Sequence, residues 1–117
     1  MTKIQAIKAS LEHHKENLRL LETVEGKFVN DDERYFIIGE TQIFYNSEQC
    51  ALCEYDREAD GEFYCENCPL YQHGYICNKW GSPWKKIWHS KTKSKAILAE
   101  KGMVKVLEKV LRKEEAL

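Results

Sequence analysis

The sequence predicts an α+β fold: a small zinc-ribbon or treble-clef-like cysteine module and a short antiparallel sheet, flanked by N- and C-terminal amphipathic helices. Three observations predict it. Apolar residues recur at helical spacing at both ends of the chain, aromatic and β-branched residues gather in short runs after residue 27, and two Cys-x-x-Cys pairs occupy the middle. The chain has 117 residues, one domain's worth, which can bury only a modest core. Charged residues make up 32% and the hydrophobic set 43%, a globular balance that excludes an intrinsically disordered chain. The domain divides into an N-terminal helix (1–25), strands (26–49), a cysteine module (50–81) and a C-terminal helical region (82–117).

Residues 2 to about 23 read as one helix. Ile4, Ile7, Leu11, Leu18 and Leu21 fall on one face, Thr2 and Gln5 have the spacing of a capping box, and Gly26 stands just past the end. His14 lies on the same stripe and reads as a partly buried, hydrogen-bonded residue rather than a ligand. Residues 27–46 read as two or three antiparallel strands: Phe28-Val29, then Tyr35-Phe36-Ile37-Ile38, then Ile43-Phe44-Tyr45, with Asn30-Asp31-Asp32 as a turn signal. Residues 47–81 carry turn formers and no helical period. Ser82 suits an N-cap and Pro83 the first position of a helix over 82–91. From Ser94 to about Glu114 a long helix carries Ile97, Met103, Val104, Val106, Leu107, Val110 and Leu111. Gly102 inside it costs about 1 kcal/mol, which predicts either a close backbone approach or a bend. The terminal helices can pack on each other and on the sheet, or close a homodimer instead of a monomer core.

The chemistry is in the cysteines. Cys50-Ala-Leu-Cys53 and Cys65-Glu-Asn-Cys68 are separated by eleven residues, with Asp60-Gly61 as a hairpin signal between them. Two residues between ligands let one tight turn present two sulfurs to one ion, so the pattern is knuckle, hairpin, knuckle. Zn2+ held by Cys50, Cys53, Cys65 and Cys68 is the expected cofactor, with Cys77 as possible substitute and otherwise the spare thiol; His73 is a further stand-in. An iron–sulfur cluster takes the same donors. A redox dithiol would need one Cys-x-x-Cys at a helix N-terminus after a strand, in a thioredoxin-like setting that the sequence does not display. A four-thiolate site has no open position for water and stabilises a fold rather than hydrolysing a bond, which favours a non-enzyme.

No uncharged apolar run approaches bilayer length, and charges interrupt residues 1–20, so a cytoplasmic protein without membrane attachment is expected. In that reducing compartment five cysteines are not a disulfide framework.

Charge is segregated. Asp31 to Glu66 holds eleven acids against Arg34 and Arg57, with Glu54, Asp56, Glu58, Asp60 and Glu62 alternating as they would along one face of a strand. Such a row reads either as a soluble turn or as a surface that mimics nucleic acid toward a basic host protein. Pro69 to Lys95 holds six lysines and no acid, and Trp80, Trp84 and Trp88 lie within it. Lys79, Lys85, Lys86 and Lys91 interleaved with these rings make a candidate nucleic-acid or partner surface: cations for phosphates, flat rings for bases. The plainer reading makes the tryptophans core and the lysines a solvated face.

Cys50-Ala-Leu-Cys53, Cys65-Glu-Asn-Cys68-Pro69-Leu70-Tyr71, Cys77 and Ser82-Pro83-Trp84, with Glu16-Asn17-Leu18-Arg19-Leu20-Leu21 in the first helix, resemble a group of small cysteine-motif proteins of tailed bacteriophages. The resemblance spans most of the chain apart from roughly 30–46. It implies a metal-binding protein of the host bacterial cytoplasm and brings no reaction with it. The functional expectation is therefore a zinc-stabilised module that binds and modulates a host factor, in host takeover or counter-defence. The alternative is a nucleic-acid-binding zinc module using residues 79–95. A metal-scaffolded nuclease comes last, because its candidate histidines, His73 and His89, sit in no ββα motif.

Overall fold

The computed structural model describes residues 1–31, 35–45, 50–60, 67–77 and 79–117, the side chains of 57–60 excepted. The architecture is α+β. Helix α1 (Lys3–Thr23) leads into a three-stranded antiparallel sheet of β1 (Phe28–Asp31), β2 (Tyr35–Ile38) and β3 (Thr41–Phe44), in that order. Helices α2 (Ala51–Asp60), α3 (Pro69–Gln72), α4 (Pro83–Trp88) and α5 (Lys93–Glu115) follow.

The expected capping box starts α1. Thr2 Oγ1 accepts from the Gln5 N–H at 3.1 Å, and Gln5 Oε1 accepts from the Thr2 N–H at 2.8 Å, so two amides that the helix cannot satisfy are closed at once. Ala6, Ile7, Leu11 and Leu21 bury one face of α1. That face packs against α5, which buries Ala96, Ala99, Met103, Leu107 and Val110. Each fully buried Leu or Ile contributes roughly 1.5–3 kcal/mol, and the stripe sustained over both terminal helices makes their contact the main core.

The sheet adds a second apolar layer. Phe36 and Ile38 alternate inward along β2, and Phe36 pairs across the ladder with Ile43 of β3. Asn30 and Asp31, expected in a turn, belong to β1, and residue 32 lies outside the described set. A side chain at Gly26 would bring its Cβ to 3.0 Å from the backbone nitrogen of Gly39, and Gly26 has a φ of 136°. Glycine there lets the exit of α1 pass close over the β2–β3 turn.

Asn30 ties the sheet to the C-terminal region. Its Nδ2 donates to the carbonyls of Trp88 (2.9 Å) and Ser90 (3.0 Å), and its Oδ1 accepts from the Tyr45 hydroxyl. Ser82 Oγ accepts from the Lys85 N–H at 3.1 Å and Pro83 opens α4, as the sequence signals. Nothing lies within 4 Å of a Cβ built on Gly102, so no neighbouring backbone demands glycine there.

The cysteine region departs from expectation. Residues 51–60 form a ten-residue helix, not the first arm of a hairpin. Glu54 and Asp56 consequently do not share one face: residues two apart on a helix lie on nearly opposite sides. Glu54 is exposed, whereas Asp56 is 1% exposed. Helical spacing offers the reason, since Leu52 and Asp56, four apart, are both buried. The Asp60-Gly61 hairpin signal and Glu62 extend beyond the described residues. Among those residues, no helix is long and apolar enough to cross a membrane.

Candidate functional site

Cys50 immediately precedes α2, and its carbonyl accepts the Glu54 N–H at 3.1 Å. The first turn of a helix leaves amide N–H groups open, and a sulfur at that position meets them. Cys50 sulfur accepts hydrogen bonds from the Cys53 thiol and from the backbone N–H groups of Cys53 and Leu52. The Cys53 hydrogen bond, opposed by burial and helped by the backbone donors and His14, lowers the Cys50 thiol to about 6. Cys53 is pushed well above the ordinary thiol range. The causes are its bond to Cys50, its burial, and the charges of Cys50, Cys77 and Cys68.

Geometry explains why these distant cysteines interact. Asp56 Oδ1 accepts the Asn67 N–H at 2.8 Å, which moors the second cysteine segment to α2. Cys68 follows directly, buried at the N-cap of α3. The chain then turns back, with the Tyr75 N–H donating to the Leu70 carbonyl at 2.8 Å. Cys77 lines a shallow hollow with Leu70, Trp84 and Met103, and its carbonyl accepts the Ser82 hydroxyl at 2.7 Å. Three chain segments thus supply the thiols whose charges raise Cys53: Cys50, Cys77 and Cys68. Cys65 lies outside the described residues. Among those residues no three His, Cys, Asp or Glu side chains close into a metal-holding group. In kind, the described thiols are the soft donors that a zinc ion takes.

The tryptophans divide between the two readings of the basic stretch. Trp84 is half-buried and donates its Nε1–H to the Tyr45 carbonyl at 2.8 Å, so it anchors α4 to the end of β3. Trp88 is also half-buried; its ring centroid lies 5.3 Å from that of Trp84, as the four-residue spacing predicts, and Lys85 Nζ sits 3.2 Å above it. Trp80 is 79% exposed. His89 lies between these groups, 4.6 Å from the Trp80 ring and stacked on Trp88 at 5.3 Å with a 30° interplanar angle. Lys79, Lys86 and Lys91 are exposed in the same stretch. The ring role of His89 was not visible in sequence, because nothing in its spacing distinguishes it from a surface residue just past a helix.

His73 donates Nε2–H to Glu114 Oε1 at 2.8 Å, and Lys3 Nζ reaches the same carboxylate at 3.7 Å. This links α3 to both terminal helices. The two nuclease candidates therefore occupy separate settings, one an ion-pair tether and the other an aromatic row.

The chain presents, in class, a small α+β fold with its described cysteines at the start of α2, at the N-cap of α3 and ahead of α4, and an aromatic–lysine stretch around α4. No family model, curated protein or solved structure matches it.

Proposed function

We propose that this protein is a metal-organised binding module, with Zn2+ held by Cys50, Cys53, Cys68 and a fourth thiol from Cys65 or Cys77. One arrangement supports the reading: Cys50 and Cys53 stand at the start of α2, and the bond from the Asn67 N–H to Asp56 moors the segment carrying buried Cys68 to that same helix. Four thiols gathered in a protein of this size repel one another when ionised, and a divalent cation offsets that repulsion. A Cys-x-x-Cys across the first turn of a helix meets one of the two conditions for a redox dithiol, the thioredoxin-like setting being the other, and it also presents two sulfurs that one zinc ion can take. Bound in this way, zinc would fix the loops between α2 and α4 and carry no reaction. The role is then to present a surface to a partner, and the bacteriophage resemblance points that surface at a factor of the host cell.

Native mass spectrometry of the protein, before and after denaturation and with alkylation of accessible thiols, tests the reading. The expected result is one zinc per chain and one readily alkylated cysteine. A metal-free protein with all five cysteines of the chain reactive, or one that forms a reversible disulfide between Cys50 and Cys53, overturns it.

A further inference from the structure

Among the described residues Trp80 is the most exposed large aromatic ring, on a protein otherwise short of apolar volume. At 79% exposure it contributes little to the core. It is nevertheless braced: His89 sits 4.6 Å from its centroid and is itself stacked on Trp88, whose ring Lys85 Nζ approaches to 3.2 Å. A ring that gains little from burial and yet is backed by a row of rings is a preformed platform with one open face.

The surroundings select what stacks on it. Between Pro69 and Lys95 there are six lysines and no acid, although the whole chain is close to neutral at −1. Lys79, Lys86 and Lys91 remain exposed, two of them within two residues of Trp80 or His89. An apolar or acidic peptide would use the cations or the ring, but repeated negative charge beside flat π-faces matches both. Bases of a duplex are already stacked and closed to a side chain, so the ligand has to be single-stranded.

We infer that the exposed Trp80 face, backed by His89 and flanked by Lys79, Lys86 and Lys91, binds single-stranded nucleic acid by stacking one base and holding the adjoining phosphates. This inference goes beyond the metal-centre reading and does not need it, since every residue it uses lies outside the cysteine set.

The test is fluorescence anisotropy of a labelled oligo-dT and of an oligo-U of the same length, with tryptophan quenching followed in parallel. Binding at low salt should weaken roughly 20- to 50-fold between about 50 and 200 mM salt if three or four phosphates are neutralised. Trp80→Ala should weaken binding roughly 5- to 150-fold, the range that base stacking supplies, while Trp80→Phe retains most of it. Lys86→Gln with Lys91→Gln should flatten the salt dependence. The absence of binding at low salt, equal affinity for duplex, unchanged affinity of Trp80→Ala, or full competition by a poly-glutamate peptide would each overturn the inference, the last in favour of an acidic protein partner. Zinc content and circular dichroism on the same samples keep the two readings apart: binding without metal sinks only the metal centre, and metal without binding sinks only this face.

Discussion

His14 donates Nδ1–H to Glu100 Oε2 at 2.7 Å across the interface of the two terminal helices, with the side chains 5% and 0% exposed. The second Glu100 oxygen finds no hydrogen-bond partner among the described residues. A carboxylate buried this deeply is sustained by its one partner. Removing that partner leaves an uncompensated charge, which costs about 3–5 kcal/mol. His14→Ala should therefore lower the unfolding free energy by about that much in urea titration. A double variant, His14→Leu with Glu100→Met, should recover most of the loss, because apolar replacement of a whole buried pair is close to neutral. Failure of the double variant to recover would show that the pair organises the interface rather than merely balancing charge.

The same pair gives stability a pH dependence with a defined sign. Burial lowers the His14 pKa, but the Glu100 charge and hydrogen bond, with Cys50 beyond them, raise it above its ordinary 6.5 overall. The folded protein thus holds the His14 proton more tightly than the unfolded chain. The stabilisation is complete below about 6.5 and is lost as pH rises through the folded value. His13 works the other way: burial and neighbouring His14 lower its pKa, so it opposes stability as pH falls below 6.5. His13, Glu100 and Cys50 all act on His14, so the clean measurement is a difference. Subtracting the Tm–pH curve of His14→Gln from that of the native chain should leave a stabilisation that holds below about pH 6.5 and declines above it. A difference that grows with pH would reverse the assignment.

Much of this fold was legible in residue spacing, and the failures have physical causes. The capping box at Thr2 and Gln5, the Ser82-Pro83 helix start and the strand over Tyr35–Ile38 depend on local geometry that sequence encodes directly. Helix α2 was hidden because its cysteines invite a turn reading, and its acids mimic a period of two; only the Leu52–Asp56 spacing hints at a helix. Burial of Glu100 was also missed, although Ala96, Glu100, Met103 and Leu107 keep a helical 4-3-4 rhythm that places the acid on the apolar stripe. The partners of Cys53 lie in other segments, and the bond that brings one of them close, Asp56 to the Asn67 amide, involves a backbone group without sequence signature.

Asn30 is the joint between the sheet and α4. Its side chain donates to the Trp88 and Ser90 carbonyls and accepts from the Tyr45 hydroxyl. Asn30→Ala deletes all three bonds and leaves partly buried groups unmatched, at a cost of about 2–3 kcal/mol. It should also loosen the end of α4 where Trp88 and His89 stack. Denaturant melts should show the lost stability, and tryptophan emission should shift to the red. Lost stability with unmoved emission would mean that α4 is held chiefly by the Trp84 bond to the Tyr45 carbonyl.

The identity of the fourth thiol can be decided by serine substitution. Cys50 and Cys53 open α2 together, Cys68 caps α3, and the charge of Cys77 reaches Cys53 alongside that of Cys68. A thiolate ligand is charged and soft, and serine at the same position is neither at neutral pH, so each true ligand replaced should release zinc. Cys53→Ser should abolish stoichiometric zinc. Cys77→Ser should lose it as well, since its charge already acts at the centre of the cluster, whereas the remaining variant that keeps one zinc per chain names the spare cysteine. Chelation of the native protein should then disorder the stretch between α2 and α4 while the α1–α5 contact persists, because the apolar stripes of those two helices are built from their own residues, Ile7, Leu11, Met103, Leu107 and Val110 among them. Hydrogen exchange read by mass spectrometry separates the two regions. Full retention of zinc by Cys77→Ser would return the ligand set to Cys50, Cys53, Cys65 and Cys68, and loss of zinc in neither Cys53→Ser nor Cys68→Ser would end the case for a metal at this position.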